Sequence, residues 1–231
     1  MGSESDRRAV RWLRQRLSLS WVQKSLLLGA LLTALWMRFV PDGLDDRLLV
    51  DGVLLIGGPL ALGLSHGRHV GWRVDRTAVR NAALLGLFVL PFYLVGSTLP
   101  TIRAYYPIWE TSAAPAAFVP HAIKLFVLAL AAETYYRGLL CVGVRELGFG
   151  AVFISPVVYM LHHTSKPPIE FLLSGPTDVL FGAVDYTSDS ILPSVVAHGG
   201  GLVLLDWLVI HEPLFDPTLV LNVLEALPLP I

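Results

Sequence analysis

The feature that most constrains this sequence is its series of apolar runs, because about 20 apolar residues are enough to cross a bilayer as a helix. Apolar residues make up 54% of the chain and charged residues only 15%, against about 25% charged in soluble domains. The sequence therefore predicts an all-α fold, a polytopic transmembrane helical bundle of about seven to eight helices within the lipid bilayer. The predicted spans are Trp21–Val40, Leu48–Ser65, Ala82–Leu99, Val119–Val144, Phe149–His163, Phe171–Tyr186 and Ile191–Ile210.

The polar flanks predict the domain organisation and the orientation. Residues 1–20 form a basic segment with five arginines, read either as an interfacial amphipathic helix or as a solvated tail. The positive-inside rule puts this N-terminus in the cytoplasm, together with the loop SHGRHVGWRVDRTAVR, and puts the acidic loop PDGLDDR outside. Residues 21–212 are predicted to form the membrane domain. The apolar, proline-containing tail 213–231 is predicted to be a membrane-surface segment or a broken eighth helix.

Composition also excludes several classes of function. The net charge is −1, and no basic stripe with interleaved aromatic residues indicates a nucleic-acid partner. The single cysteine, Cys141, excludes an internal disulfide and a cysteine-rich metal site.

The stretch LALAAETYYRGLLCV places two charged residues inside an apolar run. Glu133 and Arg137 are four residues apart, so they share a helix face and can pair. Charged residues within membrane helices are costly and rare, and they usually mark function or a structural ion pair. From these two residues alone, both interpretations stay open.

Histidines in two other apolar runs add to this polar centre. His162 and His163 end the stretch SPVVYMLHH, and His198 lies within ILPSVVAHGGGLVLL. If these helices converge, a carboxylate and two imidazoles could activate a water molecule. The same residue types could also bind zinc.

These residues resemble the CPBP family of intramembrane proteases, which includes the CaaX prenyl endopeptidases and the bacterial Abi proteins. The family pattern is Glu-Glu-x-x-x-Arg, then aromatic-x-x-x-His, then His-x-x-x-Asn, each on its own transmembrane helix. Glu133 and Arg137 match the first motif, Tyr159 and His163 the second, and His198 the third. The core of the resemblance lies within residues 119–210.

Two positions depart from the pattern. Ala132 replaces the first glutamate, and Leu202 replaces the asparagine. The resemblance implies a Glu/His-activated water, with Glu133 and His163 polarising the water, Arg137 orienting Glu133, and His198 donating to the oxyanion. The possible additional residues are His162, which could replace His163 in register, Tyr159, and Asp206, which follows His198 by eight residues.

The predicted function is therefore an intramembrane endopeptidase acting on a membrane-associated peptide or protein, with no cofactor expected. A zinc-dependent variant stays open, although the spacing HExxH is absent. A non-catalytic scaffold or chaperone on the same fold is an alternative that Ala132 and Leu202 favour. An ion-coupled carrier is a further alternative, without repeat symmetry in the sequence to support it.

Overall fold

The computed structural model describes residues 19–226, whose regular secondary structure is all helical, without a strand. The predicted basic segment lies almost wholly outside the described residues, as does the end of the tail. The helices are α1 Trp21–Phe39, α2 Leu44–Ser65, α3 Arg76–Gly96, α4 Pro100–Tyr105, α5 Pro115–Leu139, α6 Val142–Phe153, α7 Ser155–His162, α8 Pro168–Ser188, α9 Leu192–Val209 and α10 Pro217–Glu225.

Each of the seven predicted spans coincides with helical structure, but not all are equally suited to a bilayer. Helices α2, α3, α5 and α9 are long and apolar enough to cross a membrane. Helices α6 and α7 pass the same test as a pair that is bent by 66°. The predicted span Phe149–His163 is therefore a broken segment rather than one straight helix. Helices α1 and α8 have 19 and 21 residues and lie at the predicted positions, although they are less apolar.

The outer surface of the bundle is apolar. On α3 the side chains of Leu84, Leu87, Phe88 and Phe92 are each more than half exposed, at 58%, 67%, 56% and 58%. An exposed apolar face of this size suits lipid rather than water. Charged residues, by contrast, are buried between the helices. The fold is the predicted all-helical membrane bundle.

Helix α5 ends in a wide turn that carries the first motif. Its last six residues, Thr134–Leu139, form a π-helical turn in which every residue is buried. Gly138 lies in this turn, where an added Cβ would come within 2.7 Å of the Val70 carbonyl oxygen. Glycine is therefore required for the loop after α2 to pack against α5. Turns of this π type are frequent at functional sites.

Helix α9 packs against α3, α5 and α8 and so occupies the centre of the bundle. Its glycine run allows these close contacts. A Cβ on Gly199 would lie 2.7 Å from the Phe126 ring, and one on Gly201 would lie 2.0 Å from the Tyr93 ring. Both glycines are therefore needed for close helix packing. His198 lies on the same helix, just before these glycines, so it is also held at the centre of the bundle.

The tail after α9 forms the short helix α10. The Asp216 side chain accepts a hydrogen bond from the Thr218 amide at its start, 2.8 Å long. No residue of α10 is buried. One face of the helix nevertheless packs Val220, Leu221 and Leu224 against the core.

Candidate active site

Arg137 lies at the centre of a fully buried ionic cluster. Its Nε is 3.0 Å from Glu133 Oε2, and its Nη2 is 2.9 Å from Asp178 Oδ1. All three side chains have no exposed surface. The guanidinium also lies 4.8 Å from the centre of the Tyr159 ring and 5.5 Å from that of Phe181. We call Glu133, Arg137 and Asp178 the buried cluster.

Asp178 is a partner of Arg137 that no sequence motif identifies. The order Gly175, Pro176, Thr177 predicts a helix start there, with Asp178 as a dipole-favoured carboxylate near the N-terminus. Instead Pro176 lies inside the continuous helix α8, and Asp178 is a mid-helix residue. Its carboxylate faces Arg137 and accepts a hydrogen bond from the Ser155 hydroxyl. A buried arginine needs more than one counter-charge or acceptor. Arg137 in an apolar run therefore indicates a second partner besides Glu133, but not which residue it is.

Glu133 also holds His198. The Nδ1 atom of His198 lies 2.6 Å from Glu133 Oε1. With Nδ1–H donating to the carboxylate, the Nε2 atom is left available for chemistry. The structure therefore brings together three predicted residues, Glu133, Arg137 and His198, through one carboxylate.

His163 is held by its own helix and by an aromatic ring. Its Nδ1 lies 2.9 Å from the Tyr159 carbonyl oxygen, and the two ring centres are 4.1 Å apart. The centre of the Tyr159 ring is 6.5 Å from that of His198. The Tyr159 ring is therefore close to both histidines and to the Arg137 guanidinium. No hydrogen bond or ion pair joins His163 to Glu133 among the described residues.

His162 makes different contacts from His163. Its Nδ1 bonds to the Tyr136 hydroxyl, and its ring stacks on Trp36 with centres 4.2 Å apart. These contacts hold His162 against Tyr136 of α5 and Trp36 of α1. The residue that lies against Tyr159 beside His198 is His163, as the spacing from Tyr159 predicts.

A cavity of about 720 Å³ connects these groups, and His163 and His198 both line it. Ala132 and Leu202, the two departures from the family pattern, line it as well. Glu133 does not, because its side chain is fully buried behind His198. Most of the remaining lining is apolar or aromatic, with Leu125, Leu128, Ala129, Ile169, Leu173 and Leu205 among it.

Glu170 is a charged cavity residue that none of the sequence motifs contains. It lies in the first turn of α8 and lines the cavity. Its Oε1 atom lies 2.8 Å from the Tyr106 hydroxyl, 3.2 Å from Lys166 Nζ and 4.0 Å from His163 Nε2. Burial lowers the pKa of Lys166, and the Glu170 carboxylate opposes that shift. We call Tyr106, His163, Lys166 and Glu170 the cavity cluster.

Glu170 falls outside all three family motifs, and its partner Tyr106 is 64 residues away in the chain. The only sequence signal was its spacing of four residues from Lys166 and seven from His163. Helical periodicity could not place it on the same cavity, because a turn separates α7 from α8.

Asp206 has a different partner from the one considered in the sequence. Its Oδ2 lies 2.7 Å from His121 Nε2, and both side chains are buried, 3% and 5% exposed. It lines the cavity and is paired with α5, about one turn before α9 ends at Val209. Within residues 19–226 no group of three His, Cys, Asp or Glu side chains could hold a metal ion.

Comparison with known proteins agrees with the family resemblance of the motifs. Residues 114–201 match the model of the Rce1-like family, described as type II CAAX prenyl endopeptidase Rce1-like. The matched segment contains Glu133, Arg137, Tyr159, His163 and His198, and it confirms the resemblance to the CPBP family. No curated protein and no solved structure gives a significant match. With its apolar helices, the chain is an integral membrane protein.

Proposed function

Because residues 114–201 match a family of type II CAAX prenyl endopeptidases, we propose that this protein is an intramembrane endopeptidase. Its substrate is a membrane-associated peptide or protein segment that enters the cavity between α3, α5 and α9. The observation that carries the proposal is that His163 and His198 line one cavity beside Tyr159, with Glu133 and Arg137 directly behind His198.

His163 is the group that receives the proton of the attacking water. Its Nδ1–H donates to the Tyr159 carbonyl, so its Nε2 carries the free lone pair. That atom is 4.0 Å from Glu170 Oε1, a gap that one water molecule can bridge. The water oxygen then attacks the scissile carbonyl, and the proton passes to His163 and on to the leaving amine.

His198 stabilises the negative charge that develops on the carbonyl oxygen. Protonated at Nε2, it donates a hydrogen bond to this oxyanion. Glu133 accepts the hydrogen bond from Nδ1 at 2.6 Å and so orients the ring towards the cavity. Arg137, ion-paired with both Glu133 and Asp178, fixes the Glu133 carboxylate beside His198. Glu133 thus acts on the substrate through His198.

The experiment compares the protein termini in membranes of cells that express the wild type or a variant at equal levels. New termini should depend on the wild type and vanish in Glu133→Gln and His163→Ala. His211→Gln is the matched control, because His211 is exposed and lies outside the cavity lining. Identical termini in the wild type and both variants, with all proteins folded and abundant, would contradict the proposal.

A non-catalytic scaffold is a second candidate, and a specific observation favours it. Ala132 and Leu202 face the cavity with apolar side chains at the two positions where the family pattern has a carboxylate and an amide. A scaffold predicts that Glu133→Gln keeps the biological activity of the protein. Loss of both cleavage and activity in this variant excludes the scaffold.

A further inference from the structure

Basic residues concentrate at one end of the bundle, which we call the arginine-rich end. The loop after α2 is tied there to the turn before α9 and to α6, since Arg73 Nη1 lies 3.2 Å from Asp189 Oδ2 and Arg68 Nη2 lies 2.5 Å from Glu146 Oε1. Lys24, near the start of α1, bonds to His66 at the end of α2. In the sequence, the five N-terminal arginines come before α1, whose first turn lies at this end. Its other Lys and Arg residues are Lys24, Arg68, Arg73, Arg76, Arg80 and Arg145.

The cavity lies towards the opposite end. It is lined by Trp36 near the end of α1, Arg47 near the start of α2, Tyr105 in the segment after α3 and Lys166 in the loop before α8. Helix α2 runs from this end to Ser65 at the arginine-rich end. Its 22 residues span about 33 Å at 1.5 Å per residue, close to the thickness of a bilayer core.

The basic residues at the cavity end are fewer, and several are paired. Arg47 bonds to Asp51 at 2.8 Å, and Lys124 bonds to Asp45 at 2.5 Å. Arg103 donates to backbone carbonyl oxygens at the end of α9, including that of Val209 at 2.9 Å. The complete set is Arg38, Arg47, Arg103, Lys124 and Lys166.

We infer that the cavity opens on the extracytoplasmic side of the membrane. Membrane proteins retain the end richer in Lys and Arg in the cytoplasm, and here that is the end away from the cavity. The substrate is then a peptide segment on the outer side of the membrane, a statement that rests on the proposed function. A cytoplasmic CaaX terminus is thereby disfavoured as the substrate of this chain.

The experiment labels single cysteines in intact cells with a membrane-impermeant maleimide. Ser165→Cys introduces a thiol at the cavity mouth, and Ser65→Cys introduces one at the arginine-rich end. Both serines are exposed, so the two substitutions are matched in chemistry and accessibility. The native Cys141 is fully buried, so the wild type gives the background.

The inference predicts that Ser165→Cys is labelled in intact cells, whereas Ser65→Cys is labelled only after the membrane is permeabilised. The reverse pattern overturns it, and so does labelling of Ser65→Cys in intact cells. This result does not depend on catalysis, so it separates the orientation from the proposed function. Once the orientation holds, cleavage-dependent termini should map to outer segments, and termini in cytoplasmic segments would overturn the substrate assignment.

Discussion

Two groups of charged residues in this molecule have similar chemistry but different surroundings. The buried cluster combines two carboxylates with Arg137 and has no exposed surface. The cavity cluster combines Glu170 with Lys166, and their side chains are 23% and 16% exposed. Under the proposed function, we assign the two clusters different roles: the buried cluster fixes the site, and the cavity cluster contacts the substrate.

The largest expected effect is the loss of the cation from the buried cluster. Arg137→Met removes the guanidinium that is ion-paired with two buried carboxylates, and loss of one partner from a buried ion pair typically costs about 3–5 kcal/mol of stability. We expect the variant to lose most of its folded population in detergent, measured by size-exclusion chromatography and thermal unfolding. Arg145→Met is the control, because its partner Asp189 is partly exposed and such a pair contributes about 0–1 kcal/mol.

Loss of a charge from the cavity cluster should lower the rate of peptide cleavage rather than the stability of the fold. Glu170→Gln keeps the size of the side chain and an acceptor for Tyr106, but removes the charge next to His163. We expect the rate of peptide cleavage to fall by about 100-fold, the low end of the range for general-base catalysis, because the carboxylate no longer helps to hold the attacking water against His163. Thermal stability should stay close to that of the wild type.

Chemical rescue separates this catalytic role from a structural one. Glu170→Ala should regain activity when formate is added, because a small carboxylate can enter the cavity. Glu146→Gln, which removes an exposed carboxylate elsewhere, is the matched control. Full activity of Glu170→Gln would show that the division between the two clusters is wrong.

A smaller effect tests how α9 holds His198 between the two clusters. Gly201→Ala would bring a Cβ within 2.0 Å of the Tyr93 ring, whereas Gly200→Ala meets nothing within 4 Å. We expect a stability loss of about 1–3 kcal/mol for the first substitution and little change for the second. Equal unfolding temperatures would contradict the tight packing of α9 against α3.

The sequence predicts the helices and the motif residues better than it predicts the residues that contact them. Apolar run length places the helices, and motif spacing identifies Glu133, Arg137, His163 and His198, because both signals are local in the chain. The predicted Glu133–Arg137 contact is confirmed, since residues four apart share a helix face.

The missed contacts are those that join residues distant in the sequence. Asp178 and Glu170 reach their partners only after α8 packs against α5 and α7, so no local pattern reveals them. The Gly-Pro pair before Asp178 indicates a helix start when read locally, but packing keeps α8 continuous through Pro176. For the same reason the pairing of Asp206 with His121, 85 residues away, has no sequence signature.

The most direct test uses the purified protein in liposomes and a peptide that spans one of its cleavage sites, in water enriched in ¹⁸O. The account predicts that the wild type cleaves the peptide and that one ¹⁸O atom enters the new terminal carboxylate. Folded Glu133→Gln should lose this activity. Absence of cleavage by the folded wild type, or equal cleavage by Glu133→Gln, would contradict the assignment of this site as a peptidase centre.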